Sequence, residues 1–337
     1  MLTVVVSIDT EEDNWSPTRD GVTVRNIDRL PAIEADLRAL GVRSTYFVNY
    51  QVAADPRAAA VIQWLADGGA EIGTHVHPWN TPPIEEPLVP RLTMLKNLDP
   101  ALQRAKIETV TAVLERLLGR RPTAFRAGRW GIGPEAIAAL IDLGYEVDSS
   151  VVPFTDWREM DDGPCFYDAP SYAYRVDGGA DVCEHRPDGA LIELPVSAGF
   201  TRHPFDRWHQ FSMLARRSPL RRFRLLGLAS AVDLFRRVVM NPELSSVADM
   251  LLLAQRLRER GQAFLHLMFH STTLHPGFHP EYATEADVSA LRDRILDTVA
   301  GIAGMGDVEF ATVTEAARRY APARDGEELV TASAASA

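Results

Sequence analysis

Cysteine is almost missing: Cys165 and Cys183 are the only two in 337 residues. That excludes a disulfide-stapled scaffold and a cysteine-rich zinc module, and it leaves a reducing compartment as the expected setting. Long apolar runs are missing too, since no stretch approaches the ~18 uninterrupted residues of a membrane span. Nor does the N-terminus show a basic segment followed by an apolar one. The expectation is a soluble, unexported, cytoplasmic protein. Basic charge is in deficit, with 35 Lys and Arg against 46 Asp and Glu for a net charge of -11, which argues against nucleic acid as a partner. No internal repeat of solenoid length is present.

What the chain does contain is hydrophobic residue, 46% of the total, enough for one large core. The opening stretch Leu2 to Asp13 organises the rest. Its β-branched run reads as a buried strand, and it ends in Asp9, Glu11, Glu12 and Asp13, carboxylates that cannot all be buried without partners. They belong at the C-terminal mouth of the strand, where α/β folds keep their chemistry.

Strand-like and helix-like segments then alternate. Asp28 to Leu40 has helical spacing, with Asp28 as N-cap and Gly41 after it. Val42 to Tyr50 is strand-like, Pro56 to Ala66 helical, and Ala70 to Thr74 a short strand leading into His75-Val76-His77-Pro78-Trp79. Further units follow to a last strand at Val308 to Thr312 and a helix at Glu315 to Tyr320. Seven or eight βα units predict an α/β fold of the distorted (β/α)7-8 barrel type in one domain, residues 1 to 320. An insertion at about 201 to 250 is expected to be helical, with nine arginines between Thr201 and Met240, and reads either as a solvated basic face or as a lid. The tail, 321 to 337, is small and polar and is expected to be disordered.

In extended chain, residues i and i+2 share a face, so His75 and His77 can converge on one metal, as can Asp9 and Glu11. By the same parity Glu12 points away and Asp13 is a reserve ligand. Two imidazoles and a carboxylate suit a catalytic divalent metal, zinc first, with iron, cobalt or manganese as alternatives. Other strand ends add Arg126 (in FRAGRW), Asp148 (in YEVDSS) and His270 (in LMFHS), while His266 reads as a core histidine deeper on the same face.

The ordered set SIDTEED, EIGTHVHPW, FRAGRW, YEVDSS and LMFHS resembles the polysaccharide deacetylase superfamily, with its NodB-like homology domain, over about residues 1 to 315. The resemblance implies a metal-dependent hydrolase that removes an acyl group from an amine. It implies Asp9 as general base, Glu11, His75 and His77 as metal ligands, Arg126 as the group orienting the base, His270 as general acid, and Asp148 as the acid that holds His270. Trp79 and Trp130 are candidates for the walls of a substrate groove. Two features depart from the usual family pattern: Asp9 and Glu11 are separated by Thr10 where two adjacent aspartates are usual, and the histidines are two apart rather than four.

The expected substrate is an amino sugar, another small molecule or a sugar conjugate, attacked at an amide C-N bond. Opening of a cyclic amide or ureide, as by an allantoinase, would use the same groups. A non-catalytic binding protein on the same fold is the reading from another class, and metal analysis would separate it. Glycosidic hydrolysis by two carboxylates leaves the histidine pair without a role.

Overall fold

A computed structural model describes residues 1-217 and 235-323, the side chains of 215-217 apart. Strand β1 (Leu2–Thr10) is buried along all nine residues, as its apolar run requires, and lies next to one end of the strand order. Outward in one direction come β2 (Thr45–Val48), β3 (Glu71–Val76), β4 (Ala124–Ala127) and β5 (Val147–Asp148). All are parallel. Beyond β5 the sheet skips β6 (Tyr174–Val176) to add β7 (Leu191–Glu193) in parallel, with β6 antiparallel on its outer edge.

On the other side of β1 lies β10 (Phe264–His270), parallel and in register so that Asp9 stands opposite His270. Strand β11 (Val308–Phe310) pairs with Leu2 to Val4, below the segment of β1 that β2 occupies. No ladder joins β7 to β10 among the described residues. Single bonds span the gap instead: Ser197 N-H donates to the His266 carbonyl (3.1 Å) and Met268 N-H to the Met240 carbonyl (2.9 Å). The antiparallel pair β8 (Ala198–Phe200) and β9 (Arg237–Val239) sits beside this seam. The result is a curled half-barrel, the distorted α/β barrel that the alternation predicts.

Helices α1 (Leu30–Ala39), α2 (Tyr50–Ala54), α3 (Pro56–Asp67), α4 (Pro100–Leu118), α5 (Pro134–Asp142), α6 (Phe205–Arg217), α7 (Val247–Glu259), α8 (Glu285–Ala303) and α9 (Val313–Tyr320) complete the described elements. None is long and apolar enough to cross a membrane.

Two local expectations are corrected. Asp28 is not the cap of α1: it lies in a 3-10 turn, Arg25–Arg29, and pairs with Arg57 at 3.2 Å. Strand β2 stops at Val48, because the Asn49 side chain accepts from Val52 N-H (3.1 Å) and starts α2. Within the arginine-rich stretch the described parts are α6, β9 and the turn into α7, while 218-234 lie outside the described residues. So does the tail from 324; just before it, the Pro322 carbonyl accepts from Arg175 Nε at 2.7 Å.

Helix α4 bears on the site through one inward cation. Lys106 is fully buried, and its Nζ donates to the carbonyls of Pro78 (2.9 Å), Thr81 (2.6 Å) and Pro83 (2.7 Å) and pairs with Glu86 (3.1 Å). It gathers the loop that follows His77. Replacing Lys106 by Met would strand three carbonyls and leave Glu86 with Arg19 as its cation, so Lys106→Met should lose roughly 3 kcal/mol of unfolding free energy in urea titration, and an unchanged midpoint would deny the lysine this role.

Candidate metal and acid-base site

The C-terminal ends of β1, β3, β4 and β10 meet at one mouth. Glu11, just past β1, places Oε2 3.0 Å from His77 Nε2 and 3.7 Å from His75 Nε2, and the two imidazole Nε2 atoms are 3.1 Å apart. All three residues are buried, and their ligand atoms lie within 4.8 Å of one another.

The outer nitrogen of each ring is held. His75 Nδ1 donates to the Arg126 carbonyl (2.9 Å), and His77 Nδ1 donates to Glu12 (3.0 Å). Those bonds set the tautomers so that both Nε2 lone pairs face inward with a carboxylate, an arrangement that repels itself unless a cation fills it. The electrostatics agree. Burial would lower the His77 pKa, but Glu12 and then Glu11 push it up to about 10. Burial would raise that of Glu11, yet its bonds to His75 and His77 hold it well below the carboxylate range. This donor set fits a divalent metal.

Glu12 corrects the parity argument. Strand β1 ends at Thr10, so alternation does not carry through the acids that follow. Glu12 turns inward behind His77, where Asn80 Nδ2 (2.6 Å) and Asn49 also donate to it. Asp13 is no reserve ligand: it accepts from Thr23 Oγ1 (2.5 Å) and from the backbone N-H groups of Arg25 (2.9 Å) and Asn26 (2.8 Å).

Asp9 sits one layer away. Arg126, fully buried in β4, donates from Nη1 to Asp9 Oδ1 (2.7 Å) and from Nε to the Ser149 carbonyl (2.8 Å). The other oxygen, Oδ2, faces His270 Nε2 at 3.8 Å. His266 lies deeper, accepting at Nε2 from Arg126 Nη2 (3.3 Å), with Ser7 Oγ 2.8 Å away. Burial, and then Arg126, push its pKa well below the ordinary histidine value, so it is a neutral core group.

His270 is held by Glu243, not by Asp148. Its Nδ1 lies 2.7 Å from Glu243 Oε2, its backbone N-H donates to Oε1 (2.7 Å), and Thr273 Oγ1 donates to Oε1 as well (2.9 Å). Asp148 is taken up elsewhere, accepting from Ser150 Oγ (2.6 Å) and lying opposite Glu193 across β5 and β7. Burial raises the pKa of both acids, and the Asp148 charge raises Glu193 further. Glu243 carries no local signal in the sequence. It lies in an Asn-Pro-Glu turn before α7 and meets His270 only through the fold.

Of the two tryptophans expected along a groove, Trp79 is buried and stacks on the His77 ring (4.2 Å between centroids), so it backs the site instead of walling it. Trp130 is half-buried, its ring 5.5 Å from the Arg126 guanidinium. Gly128 before it has no room for a side chain, since a Cβ would meet His77 Cδ2 at 2.5 Å. Trp15, missed from sequence, stands edge-on to His270 at 5.4 Å.

Residues 19-147 match the family model described as polysaccharide deacetylase. Over those residues, under half of its length, the chain is similar to that family. The matched part of the chain includes His75, His77 and Arg126 and leaves out Asp9, Glu11 and His270. Its fold is similar to that of a candidate polysaccharide deacetylase from Mycobacterium smegmatis (TM-score 0.55, 18% identity, 95% of this chain and 90% of that one). It is also similar to one from Pseudomonas aeruginosa PAO1 (TM-score 0.51, 16% identity, 94% and 89%). No curated protein gives a match.

Burial would lower the His270 pKa, but the charge and hydrogen bond of Glu243 push it up to about 10. In metal-stripped Glu243→Gln the His270 pKa should fall by ~1-3 units in an NMR titration, and no change would show that Glu243 does not hold the proton. Because that pKa is raised on folding, the pair's stabilisation is complete below pH 6.5, the ordinary value, and fades as pH climbs to about 10. The stability deficit of the variant should close over the same window.

Proposed function

We propose that this protein is a metal-dependent N-deacetylase that hydrolyses the amide of an amino sugar or sugar-containing intermediate. The observation that carries the reading is the convergence of Glu11, His75 and His77 beside two separately held proton carriers, Asp9 and His270. The family match points to the same reaction.

Glu11, His75 and His77 would hold the ion, zinc first, with iron, cobalt and manganese compatible with the same donors. Bound there, it supplies a Lewis acid for the amide carbonyl and makes water a stronger acid. The protein's own groups do the rest. Arg126 holds Asp9 through Oδ1, so that Oδ2 is free to accept a proton from the attacking water. His270, protonated with Glu243 behind its Nδ1, delivers the Nε2 proton to the leaving nitrogen, which otherwise would depart as an amine anion. Asp9 and His270 stand opposite each other in neighbouring strands, so acceptance and delivery occur at the same mouth.

Acetate release from N-acetylated amino sugars, measured with metal content, tests the roles separately. His75→Ala should lose metal and turnover together. Asp9→Asn should keep its metal yet fall in turnover by ~10²-10⁴. Near-normal turnover in metal-loaded Asp9→Asn would remove Asp9 from the base role.

A further inference from the structure

A cavity of about 370 Å³ lies at the far end of the barrel from the mouth, among the N-terminal ends of β3 and β4 and the start of α9. Glu71, in its wall, opens β3, and His75 stands four residues further along that strand, roughly 13 Å of extended chain away. The cavity is therefore separate from the metal and acid-base groups.

Arg43, Glu71, Arg120, Arg121, Glu315 and Arg318 are the charged side chains that line it. Four of them are already employed by the fold. Glu71 accepts from Thr45 Oγ1 (2.8 Å) and from Thr314 N-H (3.2 Å), while Glu315 accepts from Thr312 N-H (3.1 Å) and pairs with Arg43 (2.6 Å). Arg318 is held in a fork by Glu146, outside the lining, with both bonds at 2.7 Å. Arg120 and Arg121 are left over: among the described residues neither guanidinium has a hydrogen bond, ion pair or ring contact. The turn that carries them is nonetheless fixed, because Gly119 ends α4 in the left-handed region (φ 66°) and Pro122 is buried.

We infer that this cavity binds a dianionic phosphate group carried by a small molecule of about sugar-phosphate size. Two unmatched arginines on a chain of net charge -11 reverse the local sign, and a concave surface concentrates that field. Guanidinium forks match the oxygens of a phosphate, and a turn fixed at both ends spares much of the cost of ordering them. The hydroxyls of Thr123 and Thr314, 3.5 Å apart, line the same cavity and add neutral donors. Its volume lies at the lower end of the ~300-1,000 Å³ range of small-molecule sites. A polynucleotide needs a longer basic track than two free arginines. The site goes beyond the deacetylase reading and does not depend on it.

Calorimetric titration of the full-length protein with inorganic phosphate at low ionic strength tests the site, with the metal stripped so that phosphate cannot bind to it. Wild type should bind saturably, and Arg120→Gln combined with Arg121→Gln should weaken binding on the order of tenfold or more. Both side chains are exposed and unbonded, so this double substitution leaves the fold intact. Arg104→Gln combined with Arg116→Gln removes two charges from α4 itself and should leave the affinity unchanged. No saturable binding by wild type, undiminished binding in the Arg120, Arg121 variant, or an equal loss in the Arg104, Arg116 variant would overturn the site.

Discussion

The ion pair between Arg126 and Asp9 is the constraint on which the rest of the site depends. A guanidinium with no exposed surface can persist in a barrel interior only if its charge is met and its donors are used, and losing the partner of such a pair costs about 3-5 kcal/mol. Arg126 meets this demand through Asp9, both acceptors of Ser149 and the neutral ring of His266. The consequence for chemistry is a division of labour. One Asp9 oxygen belongs to Arg126 and the other looks toward His270, which leaves Glu11 as the carboxylate that faces the histidine pair.

The same economy runs through the three histidines at the mouth. Each offers one nitrogen to the centre and has the other held from behind: His75 by the Arg126 carbonyl, His77 by Glu12, His270 by Glu243. An imidazole held by a neutral carbonyl differs from one backed by a carboxylate, and a carboxylate favours the charged ring. Arg126 thus serves twice, with its side chain on Asp9 and its backbone on His75. Strand register makes this possible, since β3 and β4 place His75 directly opposite Arg126.

Much of this was legible in the chain because it was local. The β-branched run of β1, the helix spacings and the short-range pairing of His75 with His77 all depend on neighbours in sequence, and each led to the right element or cluster. What escaped was set by the end of an element or by distance. Strand parity was carried past Thr10, where the strand stops, so Glu12 was turned the wrong way. Asp148 was given the role of holding His270 from the family resemblance, yet it lies opposite Glu193, and burial together with the Asp148 charge pushes the Glu193 pKa well up. Glu243 is 27 positions from His270 and sits in a turn at the edge of the arginine-rich stretch, so only the closure of the barrel brings it there.

The central claim is that the acids after β1 divide their work, with Glu11 among the metal ligands and Asp9 kept apart from them by Arg126. The most direct measurement is anomalous diffraction from crystals of the zinc-loaded protein. The account predicts one strong peak bounded by Glu11, His75 and His77, with Asp9 still paired to Arg126. A peak ligated by Asp9, or a metal lying elsewhere while the histidine pair stays empty, would contradict it.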